Sequence, residues 1–188
     1  MSDKKSLMGL FIAVILSIIS FFVYKIFIEK KDSFLLDNPT EKSIDVFLNG
    51  DKYVLAPGQT LAVAVKDGRN TISSSTDKGS LILKDTFFNV KRTDRGLINP
   101  TLSEYYSFRR YYGHIKNIDS LYKIHKTVID GDEFVGEIKR YNHLVIENFY
   151  YNVNQNFPKV INKVDSVESR VKLFRKNQFL DFYQTSFK

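Results

Sequence analysis

The chain opens on an uncharged apolar run and then changes to alternation. From Leu7 to Tyr24 there is no charged residue, and Ile26, Phe27 and Ile28 continue the run past Lys25. A helix rises about 1.5 Å per residue, so roughly 20 such residues match a hydrocarbon core about 30 Å thick. The pattern predicts a short tail at 1–5 and a single transmembrane helix, a signal anchor, over 6–28. A cleaved signal fits less well, because bulky Phe21, Phe22, Val23 and Tyr24 stand where small residues belong. A buried core helix fits less well too, because the run has no polar stripe. Residues 29–40 read as a linker that ends at Asn38-Pro39, since the residue before proline is pushed out of the helical region.

After the linker the period falls to two. Ile44, Val46 and Leu48 alternate with Ser43, Asp45 and Phe47, and Asn49-Gly50 follows as a hairpin turn. Lys52–Leu55 is the return strand. Pro57-Gly58 and Asp67-Gly68 are further turns around a strand carrying Leu61, Val63 and Val65. Further strands are predicted at Asn70–Ser74, Ser80–Leu83, Phe87–Val90 and Tyr105–Tyr112. Short strands about ten residues apart are how a small antiparallel sandwich reads. The second half adds strands at Leu121–Ile129, Phe134–Arg140 and His143–Tyr151, expected as a meander. Asn156 and Pro158 signal a helical turn. Val160, Val164, Val167, Val171 and Phe174 at helical spacing allow one long helix. The alternative, favoured by the many valines, is a helical turn from Lys159, a strand near 170–175 and a terminal helix with Asn177 as cap and Phe179, Leu180, Tyr183 and Phe187 on one face. The fold class expected is mainly β: one N-terminal transmembrane helix, a β-sandwich-like region at 41–115, and a β-meander with a short C-terminal helix at 116–188.

Residues 43–75, with Asn49-Gly50, Pro57-Gly58 and Asp67-Gly68 between short strands, resemble PEGA-type and carboxypeptidase-regulatory-like small β-sandwich modules. Ala56-Pro57-Gly58-Gln59 stands where the PEGA tetrapeptide would be. The resemblance implies a spacer or binding unit outside the cytoplasm and carries over no catalytic residue.

Composition narrows the chemistry. The chain has 188 residues, a net charge of +7 and no cysteine. Disulfides, thiolate metal sites and thiol catalysis are excluded. Five lysines against Asp3 and Glu29 place +3 in residues 1–31, which leaves +4 for the rest. That is too mild for a nucleic-acid footprint. No phosphate-binding glycine loop and no nucleophile elbow occurs. Asp130-Gly131-Asp132-Glu133 reads as a solvated hairpin turn rather than a calcium loop. His114, His125 and His143 lack metal-ligand spacing, and Glu104 and Glu147 read as surface carboxylates rather than a glycosidase pair. The most distinctive run is Tyr105–Lys116. Its alternation puts Tyr106, Phe108 and Tyr112 on one strand face, with Tyr105, Arg109 and Tyr111 on the other. Tyr105, Arg109 and Tyr111 of that face, with Arg110 nearby, are the candidate partner surface, where rings and guanidinium groups could stack on a ligand. Arg170, Lys172, Arg175 and Lys176 read as a solvated face.

These readings converge on a single-pass protein of the cell membrane, held through 6–28, with no catalytic, cofactor or metal site. Its domain is expected to be extracytoplasmic, periplasmic in a Gram-negative bacterium, with the amino end inside. There it would bind or position a protein or envelope-polymer partner without catalysis. The alternatives are an anchored enzyme acting on envelope polymer or lipid, and a cytoplasm-facing regulatory domain.

Overall fold

The computed structural model describes residues 2–23, 34–91, 94–113, 117–158 and 168–187. The chain divides into Met1–Asp32 and Ser33–Lys188. The first unit is built on helix α1, Ser2–Val23. Among the described residues no helix is long and apolar enough to cross a membrane. This corrects the transmembrane signal anchor expected over 6–28, and with it the single-pass membrane assignment. The physical reason is length. The first turn of α1 holds Asp3, Lys4 and Lys5, so its uncharged part is Ser6–Val23. At about 1.5 Å per residue that part is about 27 Å long, short of the roughly 30 Å core. Tyr24–Ile28, which were to complete the span, lie outside the described residues. So do His114, Lys116 and the helical turn expected from Lys159.

The second unit is mainly β, with four sheets and a C-terminal helix. One four-stranded sheet follows the hairpin pattern. β2 (Ile44–Leu48) and β3 (Asp51–Leu55) pair around Asn49-Gly50, whose φ values of 55° and 96° suit the tight turn. β5 (Gly68–Thr76) lies on the other side of β2, and β6 (Leu81–Val90) completes the order β3-β2-β5-β6. The strands predicted at Ser80–Leu83 and Phe87–Val90 are one strand. Its polar middle is a bulge, where Asp85 at φ 41° accepts Ser73 Oγ at 3.0 Å.

A second four-stranded sheet has the order β12-β7-β1-β4. β1 is Phe34–Asp37, β4 is Thr60–Val63, β7 is Gly96–Ile98 and β12 is Val145–Ile146. The stretch read as linker thus supplies a central strand, parallel to β7 and antiparallel to β4. Phe34, Leu36, Val63 and Ile98 of this sheet pack on Ile44, Val46, Leu48, Leu55, Ile72 and Phe88 of the first. This is the sandwich core. Gly96 admits the ring of Phe34, because a Cβ there would lie 2.7 Å from Phe34 Cε1.

The opposite face of β7 carries Leu97, which packs with Tyr105, Ile146, Val153 and Leu173. Tyr105 and Leu173 belong to a third sheet, β11-β8-β13, made of Ile138–Tyr141, Tyr105–Tyr112 and Glu168–Arg175. β8 and β13 pair antiparallel along their full length, from Tyr105↔Arg175 to Tyr112↔Glu168. The far side of this sheet is covered by helix α3 (Lys176–Phe187) and by the hairpin of β9 (Lys126–Ile129) and β10 (Asp132–Val135). Phe179 and Tyr183 of α3 are buried there against Tyr106, Phe134 and Phe174.

The second half is not a meander. Part of the strand expected at Leu121–Ile129 is instead helix α2, Ile118–Lys123. The helix turns Tyr122 inward, its ring 5.7 Å from that of Phe108 and its OH accepting the Tyr111 N–H at 3.2 Å. The strand expected at Phe134–Arg140 is broken at Gly136, φ 124°, where a Cβ would meet Phe108 Cε2 at 2.7 Å. Of His143–Tyr151 only Val145–Ile146 pair as a strand in the second sheet. Tyr150 and Tyr151 then donate their N–H groups to the carbonyl of Val171 on β13.

Candidate functional site

β8 and β13 present different chemistry on their two faces, because side chains alternate along a strand. On the face toward the second sheet, Asp37 at the end of β1 is fully buried. Arg175 reaches it in bidentate fashion, Nε to Oδ2 at 2.9 Å and Nη2 to Oδ1 at 2.5 Å. Tyr105 donates its OH to Oδ2 at 2.6 Å, and Thr60 donates Oγ1–H to Oδ1 at 2.5 Å. Burial, then the charge and the bond of Asp37, push the Tyr105 phenol upward, so it stays a donor. The hydrogen bond to Asp37 raises the Arg175 guanidinium further. All four groups are spent on one another and on Gly58, whose carbonyl accepts Arg175 Nη2 at 2.8 Å. The cluster joins β1, β4, β8 and the β13–α3 junction, and it is a structural clamp.

Toward α3, a cavity of about 430 Å³ opens between β8, β13, α3 and residues 153–157. Its aromatic walls are Phe157, Phe174 and Phe182, with ring centroids 4.8 Å apart for Phe174–Phe182 and 5.7 Å for Phe157–Phe182. Two cations line it, Arg110 from β8 and Lys172 from β13. Register places Arg110 opposite Arg170, so Lys172 is its diagonal neighbour on the same face. Lys172 is 5% exposed. Its Nζ donates to the carbonyls of Asn152 at 3.2 Å and Val153 at 3.5 Å, and it lies 4.3 Å from the centre of the Phe174 ring. Among the described residues no carboxylate forms an ion pair with Lys172 or with Arg110. Burial, helped by the charge of Arg175, pushes the Lys172 ammonium down to about 8. Arg110 has its guanidinium 5.9 Å from the Phe157 ring and 5.7 Å from that of Tyr112. Asp181, Gln178 and Asn156 complete the polar lining.

A buried ammonium held by carbonyls and the face of one ring is expensive, because charge is usually buried with a counter-charge. Two cations, the carboxylate of Asp181 and three rings thus surround one open space.

The four residues singled out in the sequence do not form one surface; two of them, Arg109 and Tyr111, meet on Glu137. Tyr105 is wholly buried in the clamp. Arg109 and Tyr111 both end on Glu137, at 2.8 Å through Nε and at 3.0 Å through OH. Burial opposes ionisation of Glu137, yet the bonds from Arg109 and Tyr111 hold its carboxyl below the ordinary range. Arg110 alone lines the cavity. Lys172, the most buried polar group of the lining, corrects the solvated face expected of Arg170, Lys172, Arg175 and Lys176. The signal lay in its neighbours, since Val171, Lys172, Leu173 and Phe174 form a strand apolar on both faces, a pattern of strands covered on both sides.

The other candidates have structural partners. Asp130-Gly131 is a hairpin turn with φ values of 52° and 93°, and Asp130 accepts Lys176 Nζ at 2.7 Å. Glu104 accepts the OH of Tyr106 at 2.8 Å and pairs with Arg140. Among the described residues no group of three or more histidine or carboxylate side chains is arranged to hold a metal. No family model matches the chain, and neither a characterised protein nor a solved structure does.

Proposed function

We propose that the protein is a non-catalytic binding module that positions a partner in an envelope assembly, and that it receives an acidic group of that partner in the β8–β13–α3 cavity. One observation carries this reading: Lys172, 5% exposed, faces a 430 Å³ cavity beside Arg110 with carbonyl oxygens as its acceptors. A fold that carries such a charge gains from an anion that answers it. The clamp of Asp37, Arg175, Tyr105 and Thr60 supports the positioning role, because it fixes the β13–α3 wall of the cavity against the sandwich. The resemblance of residues 43–75 to spacer and binding modules outside the cytoplasm points the same way.

The test is anion-dependent stabilisation. Acetate replaces chloride at constant ionic strength, and thermal midpoints are compared for the wild type and for Arg110→Gln/Lys172→Met. The reading expects acetate to raise the midpoint of the wild type and to leave the variant where it was. An equal rise in both proteins contradicts it.

A further inference from the structure

The cavity's composition narrows the chemistry of what it holds, and this step rests on the binding role just proposed. We infer that the cavity is a site for a carboxylate monoanion joined to an aromatic ring, as in an arylacetic acid or a peptide chain that ends in phenylalanine.

Size comes first. An inorganic anion fills a small part of about 430 Å³, a volume in the range of sites for small organic molecules. The ligand therefore has a body besides its charge. The walls define that body. Phe157, Phe174 and Phe182 are mutually tilted or stacked, with centroids 4.8–6.1 Å apart. Phe174 is buried behind the other two, and the partly exposed Phe157 and Phe182 are where a flat ring would make offset or edge contacts. Charge defines the head. Arg110 and Lys172 supply two positive charges, and Asp181 supplies one negative. The lining has a net charge of one positive, which suits a monoanionic carboxylate and disfavours a phosphate dianion near Asp181. Arg110 offers the planar fork that takes both carboxylate oxygens, and Lys172 offers a point charge beside it. Asn156 and Gln178 add amide groups. In Gln178 the Oε1 atom accepts the Arg175 N–H at 3.2 Å, so its amide nitrogen is the end available to a ligand.

The full chain is titrated calorimetrically at pH 7 with phenylacetate, neutral phenylacetamide, inorganic phosphate, and the tripeptide Ala-Ala-Phe with a free or an amidated carboxyl end. The inference expects phenylacetate or the free-acid peptide to bind and both neutral analogues to bind at least tenfold more weakly. Lys172→Met and Arg110→Gln should each weaken the acid about ten- to a hundredfold, the worth of one lost charge-assisted bond. Tighter binding of the peptide identifies a chain terminus as the source; tighter binding of phenylacetate identifies a free acid. Phosphate binding without aromatic-acid binding, lost in both variants, overturns the ligand class and leaves the anion-receiving cavity standing. No anion binding, or binding that both variants retain, overturns the cavity as well. Each variant's melting curve is recorded alongside, and a cooperative transition shows that lost binding is not lost folding.

Discussion

Breaking the Asp37–Arg175 pair should cost different amounts according to which partner is removed. The Asp37 side chain is fully buried, whereas that of Arg175 is 14% exposed and keeps bonds to the Gly58 carbonyl and Thr60. Removing one partner of a buried pair costs about 3–5 kcal/mol, most of it from the charge left behind. Asp37→Asn strands a guanidinium that still has two acceptors and an edge toward water, so the lower end applies, about 3 kcal/mol. Arg175→Met strands a carboxylate with no exposure and, among the described residues, only Thr60 and Tyr105 as side-chain donors, so the upper end applies, about 5 kcal/mol. For a domain of this size each kcal/mol moves the thermal midpoint about 2–4 °C. The expected drops are about 6–12 °C for Asp37→Asn and about 10–20 °C for Arg175→Met. Urea and thermal unfolding followed by circular dichroism measure both. The double variant should lose less than the sum of the singles, because neither partner is then left charged. A larger loss for Asp37→Asn than for Arg175→Met, or losses under about 1 kcal/mol for both, would refute the reasoning.

Lys172→Met should stabilise the protein at pH 7. Moving its ammonium from 10.5 to about 8 corresponds to a cost of about 3 kcal/mol, from burial first and the charge of Arg175 second, and losing two carbonyl partners returns about half of it. The net gain of about 1–2 kcal/mol reads as a rise of about 2–8 °C, and a fall instead would contradict the cost assigned to this charge. Below pH 8 the folded and unfolded chains both hold the proton, and the fold bears the full cost. Between about 8 and 10.5 the folded chain has released it and the unfolded chain has not, so this group's burden lifts as pH rises. The advantage of Lys172→Met over the wild type should therefore shrink across that window in urea titrations. Gly96→Ala should cost about 1–3 kcal/mol, because its Cβ would lie 2.7 Å from Phe34 Cε1 and 3.1 Å from the Ile146 carbonyl. An unchanged urea midpoint would contradict that packing. Phe179→Ala should cost about 3–5 kcal/mol, since the ring is fully buried between Tyr106, Phe134 and Phe174; an effect under 1 kcal/mol would mean that α3 does not pack there.

Local patterns were readable in the sequence where they determine local structure. Period two and Asn49-Gly50 specify the β2–β3 hairpin, and Phe179 with Tyr183 marks the buried face of α3. Alternation along β8 separates Tyr106 and Phe108 from Tyr105 and Arg109, as their partners confirm. Long-range pairing was not readable. Phe34–Asp37 is four residues long and next to a proline turn, and only β4 and β7 make it a central strand. Asp37 and Arg175 lie 138 residues apart, so nothing local announces their bond. Composition misled at two places. An uncharged run predicted a membrane span that α1 is too short to make, and the basic residues of β13 concealed that Lys172 points inward.

The central claim is that the Lys172 ammonium is buried in a cavity that accepts an anion. A pH titration of the lysine ε-carbon resonances of the full chain by ¹³C NMR, assigned with Lys172→Met and repeated with phenylacetate, tests it most directly. The account predicts one lysine titrating near 8 rather than near 10.5, and moving upward when the acid is present. A Lys172 resonance that titrates near 10.5 and ignores the acid would contradict it.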